Sequence, residues 1–348
     1  MKTYKMTSMQ RVLTTLSHKE PDRVPLFLLL TMHGAKELGI SIKEYFSRDE
    51  SVVEGQLKMR KKYKNDCIYT FFHAPIETEA FGGDVIYSED GPPNAGTPII
   101  QKFDDIINLR PPVVKDSMVL RKVLIATEKL KKEVKDAVPI IGVVMSPFSL
   151  PVMQLGFEKY LELMLFHPDL FQKLMRINED FCVDWANAQL AAGATAICYF
   201  DPVSSQTIIT REQYVATGFK VAISTIARIK GPTATHFASG KFMDRVNDVA
   251  QTGTAVAGTS STEDIRLMKE ACRGKLTVLG NLNGVEMRRW SIIETSGIVK
   301  ETIQKAAPGG GFILSDNHGE IPFQVPEDVL FAITDAVRKY GNYPIITE

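Results

Sequence analysis

The sequence predicts an α/β protein of the (β/α)8 TIM-barrel class with an N-terminal helical extension, and three observations point there. Short runs that are continuously apolar or β-branched recur along the chain, as strands buried on both faces of a parallel sheet require. Amphipathic stretches separate these runs, the alternation that builds βα units. No G-x-G-x-x-G follows the first run and no Walker A sequence occurs, which places a doubly wound nucleotide-binding sheet behind the barrel. The 348 residues suit one barrel, a fold that spans roughly 200 to over 400 residues as a unit, so 1–348 reads as a single barrel domain.

The elements follow in order. Val12, Leu13 and Leu16 could share one face of an opening helix, and residues 22–30 (DRVPLFLLL) read as the first strand. Ser41 is a candidate N-cap for a helix running to about Tyr63, and residues 67–72 (CIYTFF) form the second strand. Residues 84–118 hold Gly91, Pro92, Pro93, Gly96, Pro98, Pro111 and Pro112, a breaker density that predicts an excursion from the barrel rather than regular structure. A Lys-rich helix near 119–135 leads to the strand at 139–145 (PIIGVVM). After His167-Pro168-Asp169, a helix carries Leu170, Leu174, Ile177, Phe181, Trp185 and Ala188 on one face, and residues 194–200 (ATAICYF) form the next strand. Four strands close the count, starting at 233 (TATHF), 254 (TAVAG), 276 (LTVLGN) and 310 (GGFILS). The final helix opens at Pro326 with Glu327 and Asp328, ends on Arg338 and Lys339, and stops at Gly341, each residue placed as the helix dipole and cap geometry favour.

Lys plus Arg and Asp plus Glu both number 41, so no global field steers the molecule toward nucleic acid or an anionic membrane. Cys67, Cys182, Cys198 and Cys272 form no CxxC pair, which speaks against a disulfide framework or a cysteine zinc cage. The opening MKTYKMTSMQRVL lacks an apolar signal core, and no run approaches the roughly 18 apolar residues of a membrane span. A soluble, cytoplasmic protein is expected.

In a barrel the residues directly after the strands form the active-site face. That rule selects Thr31, Met32 and His33, then His73, then Ser146 and Ser149, then Asp201, His236, Asn281 and the group Asp316, Asn317 and His318. Four of the six histidines, His33, His73, His236 and His318, thus fall at strand ends. His73, Asp201, His236 and His318 are the catalytic candidates; Met32, His33, Phe148, Asn281 and Asn317 are the substrate-binding candidates. Glu77 and Glu79 follow His73 and read as structural. Histidine with carboxylate suits zinc as a Lewis acid, with His236, His318 and Asp201 as the ligand set. It equally suits metal-free acid and base catalysis, and sequence spacing does not choose between the two.

Several segments together carry a family resemblance: HKEPDRVPLF, IETEAFGGDV, FDPVSSQTIITREQY, VLGNLNG and ILSDNHGEIPFQVPEDV. In these the chain resembles the uroporphyrinogen decarboxylase-like superfamily, particularly its corrinoid-dependent methyltransferase branch. The resemblance implies a (β/α)8 barrel with a cleft at the strand C-termini, and it allows a homodimer. It also exposes departures. LTMHGA places Thr31 and Ala35 where the decarboxylases carry arginines for the carboxylates of their substrate, and His73 stands in place of their aspartate. His318 is retained in NHGEI. THFASG has no cysteine where the thiol-methylating members carry His-x-Cys-Gly, and His318 stands at their second cysteine position.

The expectation is therefore a methyltransferase of the O-demethylase type. It would move a methyl group from a small methoxylated donor to a corrinoid held by a separate protein partner, since no D-x-H-x-x-G corrinoid segment occurs here. A methylcobamide-dependent methyltransferase with another acceptor, a small-substrate decarboxylase and a non-catalytic binding relative are the alternatives.

Overall fold

A computed structural model describes residues 5–346. Eight parallel strands curl into a barrel: β1 (Leu26–Phe27), β2 (Ile68–Tyr69), β3 (Ile140–Met145), β4 (Ala196–Phe200), β5 (Thr233–His236), β6 (Val256–Gly258), β7 (Thr277–Leu282) and β8 (Phe312–Asp316). Their hydrogen-bonded order is β1-β8-β7-β6-β5-β4-β3-β2. Each predicted strand is present, and the helices between them cover the outside of the barrel. All pairs are parallel, with Leu26 beside Leu314, Phe200 beside His236 and His236 beside Gly258.

β1 and β2 end the order and share no strand pairing. Asn65 and Asp66 close this seam. Asn65 accepts from Leu28 N and donates to Leu28 O at 2.8 and 2.9 Å, presenting one donor and one acceptor as a neighbouring strand would. Asp66 N donates to Leu26 O at 2.9 Å, and the Asp66 carboxylate accepts from Leu26 N at 3.0 Å. That carboxylate also takes Arg11 and Arg23, both at 2.7 Å, and the Ser8 hydroxyl at 2.9 Å. Arg11 reaches onward to Asp22 at 2.7 Å. The N-terminal helix Ser8–Leu16, opened by a Thr7–Gln10 capping box, is thereby stitched across the N-terminal end of the barrel. Its Val12 joins Phe27, Leu29, Tyr69, Val143, Cys198, Leu279 and Ile313 in the barrel interior.

Several sequence expectations need correction. Leu13 does not share the buried face with Val12; it is 53% exposed. The helix expected from Ser41 to Tyr63 is two helices, Ile42–Ser47 and Asp49–Tyr63, because Arg48 between them adopts an extended conformation. Ser41 is its N-cap, accepting from Glu44 N at 3.1 Å. The excursion 84–118 contains regular structure after all: an antiparallel pair, Val85–Ile86 with Asn94–Ala95, and a short helix Asp105–Asn108. Gln324 Nε2 donates to Asp90 O at 2.6 Å, tying that hairpin to the segment after β8. The last helix runs Glu327–Tyr340, with Pro326 at the N-cap and Gly341 at the C-cap. All four cysteines are free and buried. Among the described residues, no helix is long and apolar enough to cross a membrane.

Candidate functional site

The chain leaves β8 in a tight turn that organises the site. Asp316 Oδ2 accepts from the backbone N–H groups of His318 and Gly319 at 2.8 and 3.0 Å, folding the loop back over its own strand end. Its other oxygen, Oδ1, is buried without a partner. Gly319 has a left-handed φ of 84°, and a Cβ there would lie 2.8 Å from the Phe200 ring, so only glycine lets the loop approach β4 this closely. The next residue, Glu320, accepts from the Thr31 hydroxyl after β1. Burial, and then the like charge of Asp316, push the Glu320 carboxyl up to about 7. Burial likewise raises Asp316 to about 6, against the pull of its backbone hydrogen bonds. Two acids that are partly protonated near neutrality therefore share one strand end.

His236, the last residue of β5, is buried and stacks on Phe200 with ring centroids 5.5 Å apart. Its Nδ1 accepts from Ala238 N at 3.1 Å, which in the neutral ring assigns the proton to Nε2. That Nε2 has no partner. Burial, then the neighbouring His318, lower its pKa to about 4, so the neutral ring prevails at pH 7. His318 bonds Ser239 through Nδ1, its Nε2 is buried and unpartnered, and burial lowers its pKa. The fold thus unites His236, His318, Asp316, Glu320 and Thr31 from β5, β8 and β1.

Asp201, at the end of β4, does not join them through its side chain. Its Oδ1 accepts from Ser146 and Ser149, each at 2.6 Å, and burial raises its pKa. The aspartate ties the β3 loop to β4 instead. His73 occupies a separate aromatic niche, its ring 5.6 Å from Phe46 and 6.0 Å from Tyr87. Its Nε2 lies 3.6 Å from Glu79, its Nδ1 is unpartnered, and burial lowers its pKa to about 3. His33, with both ring nitrogens unpartnered, faces Phe323 at 5.9 Å, and burial lowers it to about 3.

The other binding candidates are occupied by packing or by backbone. Met32 is fully buried in the core cluster that includes Phe46 and Phe72. Phe148 lies in an outer cluster against Tyr160 and Phe171, because the chain turns outward after β3. Asn281 donates to Ser260 O and Glu263 O at 2.9 and 3.2 Å. Asn317 accepts from Gly284 N and donates to Ser261 at 3.3 and 3.1 Å.

The expected zinc set is not assembled. Among the described residues, no group of three His, Cys, Asp or Glu is placed to hold a metal ion. With Asp201 turned to Ser146 and Ser149 through Oδ1, His236 and His318 fall short of the three protein ligands that catalytic zinc takes.

Sequence reasoning missed Glu320 and Ser239. Glu320 stands in the quoted NHGEI segment, four positions past the last residue of β8, and its partner Thr31 lies 289 positions away. Glu77, read as structural, accepts from Met145 N at 2.8 Å, and burial raises its carboxyl to about 8.

This fold and rim define an α/β-barrel with a buried acid–imidazole site at the strand C-termini. The profile of the uroporphyrinogen decarboxylase (URO-D) family matches residues 7–340, and the chain belongs to that enzyme family. It is 25% identical to the uroporphyrinogen decarboxylase of Magnetococcus marinus over 97% of this chain and 98% of that one. It is 26% identical to that of Methylococcus capsulatus over 84% of each chain. A methyltransferase from Methanosarcina mazei superposes with a TM-score of 0.85 at 17% identity, covering 96% of this chain and 99% of that one. A B12-independent methionine synthase from Shewanella superposes with a TM-score of 0.55 at 13% identity, covering 85% and 89%. These two share the fold.

Proposed function

We propose that the protein is a methyltransferase that takes a methyl group from the oxygen of a small methoxylated donor and passes it to a corrinoid carried by a separate protein. The observation that carries the reading is the acid group Thr31–Glu320–Asp316 beside His236 and His318. Breaking a methyl ether leaves an alkoxide or phenoxide, a poor leaving group unless a proton or a hydrogen-bond donor meets it. A carboxyl pushed up to about 7 is the proton donor such a step needs near neutral pH. The His236 Nε2–H is a buried donor without an acceptor, suited to the same oxygen.

In the proposed reaction the electron pair of the partner protein's reduced, Co(I)-level corrinoid would form the new bond to the methyl carbon, the C–O bond would break with its pair going to oxygen, and Glu320 would give its proton to that oxygen. Thr31 holds the acid in place, and burial, then the Asp316 charge, keeps it protonated against the pull of the Thr31 hydrogen bond. The two-histidine set does not fit a catalytic zinc, so no step is assigned to one. Thr31 and Ala35 stand where the resemblance places the carboxylate-holding arginines, and Thr31 is bonded to Glu320; a polycarboxylate porphyrinogen therefore has no arginine partner there. The methyltransferase fold of the Methanosarcina mazei protein is consistent with the reading.

Purified protein, a reduced corrinoid protein and a panel of methoxyaromatics and methylated amines test it. Demethylation of an ether that requires the corrinoid partner is the expected result. No turnover across the panel overturns the reading, and carbon dioxide release without corrinoid replaces it with decarboxylation. The named relatives are decarboxylases and His318 is shared with the pattern they resemble, so the second assay belongs beside the first.

A further inference from the structure

The N-terminal face of the barrel, opposite the candidate active site, holds a second concavity of about 550 Å³. It is walled by His18, Arg266, Lys269, Glu270, Arg273 and Lys305, together with the loop at Gly309. The walls come from the segments that lead into β1, β7 and β8. The glycine loop is pressed against the turn after the first helix: a Cβ on Gly310 would lie 2.3 Å from Lys19 O, and one on Gly311 2.7 Å from His18 Nδ1. Both glycines have positive φ, 70° and 64°, so the wall is fixed by backbone contact.

The charges in this hollow do not cancel. Lys305 pairs with Glu301 at 2.5 Å, Glu270 is the acid in the lining, Glu20 accepts from Gly309 N at 2.9 Å at its edge, and Asp264 feels Lys305 and Arg266 from the start of the helix. Among the described residues, Arg266, Lys269 and Arg273 take no carboxylate within ion-pair distance. They lie on one face of the helix Ile265–Cys272 and at its C-cap. A helix C-terminus favours cations, but its effective charge is roughly −0.5, which offsets only part of one of the three. In a chain of formal net charge zero, the side chains that line this hollow are in cationic excess, with Arg266, Lys269, Arg273 and Lys305 against Glu270.

We propose that Arg266, Lys269 and Arg273 form a binding site for a small phosphate-bearing anion on the N-terminal face of the barrel. Guanidinium forks meet phosphate oxygens two at a time, and a lysine adds a point charge between them. The volume falls within the roughly 300–1,000 Å³ of small-molecule sites, ample for a diphosphate. Burial and Arg273 lower the Lys269 pKa, and burial and Lys269 lower that of His18. Both groups therefore gain when an anion enters. The site would act at a distance from the mouth, as a stabilising or regulatory ligand site.

Titration of the whole protein with pyrophosphate at constant ionic strength, by calorimetry and by NMR of the His18 ring, tests this. Saturable binding with a rise in the His18 pKa is expected, and Lys269→Gln combined with Arg273→Gln weakens it at least about tenfold, the loss of about 1.4 kcal/mol. Sodium chloride at matched ionic strength leaves His18 unmoved. Equal binding by the double variant, an equal His18 shift with chloride, or no binding by the folded parent overturns the proposal.

Discussion

Two ends of the same barrel treat their buried aspartates in opposite ways. At the N-terminal end, Asp66 is 1% exposed, yet its carboxylate takes Ser8, Arg11, Arg23 and Leu26 N, and Asp22 takes Arg11, Arg23 N and Met6 N. At the C-terminal end, Asp316 Oδ1, His236 Nε2, His318 Nε2 and both His33 nitrogens have no partner. A buried polar atom left unpaired costs about 1–3 kcal/mol, and a fold keeps such a debt where a ligand settles it. For these aspartates pairing goes with the scaffold end and an open oxygen with the rim, although hydroxyls such as those of Thr233 and Thr277 are also unpartnered at the N-terminal end.

The sharpest test separates activity from stability. Glu320→Gln keeps the shape and the contact with Thr31 but removes the proton, so turnover falls about 10²–10⁴-fold, with the unfolding midpoint in urea unchanged or raised. A midpoint that falls along with the rate would erase the distinction between the two ends. The reverse holds for Asp66→Ala, which leaves Arg11 with Asp22 alone and Arg23 without a carboxylate and lowers stability by about 3–5 kcal/mol, measured by the same urea titration. If it unfolds no earlier than the parent, the seam network is not what holds β1 to β2.

The pH dependence sharpens the contrast further. Glu320 rises from 4.5 to about 7 on folding, so its contribution to stability is complete below about 4.5 and is lost as pH climbs to about 7. His236 falls from 6.5 to about 4; its contribution is present above about 6.5 and is lost as pH drops through about 4. Urea titrations across this range should show Glu320→Gln removing the loss on the alkaline side and leaving the acid side. Turnover of the parent falls as pH rises through about 7, and a rate that instead climbs there excludes Glu320 as the acid. The smallest effect is expected between the two ends. Ser149→Ala removes one of the two hydroxyls on Asp201 and costs about 1 kcal/mol, read as a shift in thermal midpoint. An unchanged midpoint would move Asp201 from the scaffold toward the site.

The strands were legible because a parallel barrel buries both faces, and that demand shows directly as apolar runs such as IIGVVM and AICYF. His236 and His318 were legible because strand ends define the rim. Side-chain direction was not. Asp201 and Phe148 obey the same positional rule, yet one turns to Ser146 and Ser149 and the other into the Tyr160–Phe171 cluster. Glu320 was missed because it follows a left-handed turn at Gly319, and nothing local reveals that Thr31 is its neighbour. Leu13 was misplaced because apolar residues at consecutive positions cannot say which one faces in.

The gap between β1 and β2 also dates the assembly of the molecule. Leu26 pairs with Leu314, whereas β2 joins β3, so the first strand made is bonded by the last. At about 5–20 residues per second of synthesis, the run from Leu26 to Leu30 waits roughly 15–60 s on the ribosome before its permanent neighbour emerges. Through that interval Asn65 and Asp66, made within seconds of β1, are the partners within reach. The side chains that imitate a strand in the finished barrel are thus positioned to shelter β1 while the rest of the sheet is still being made.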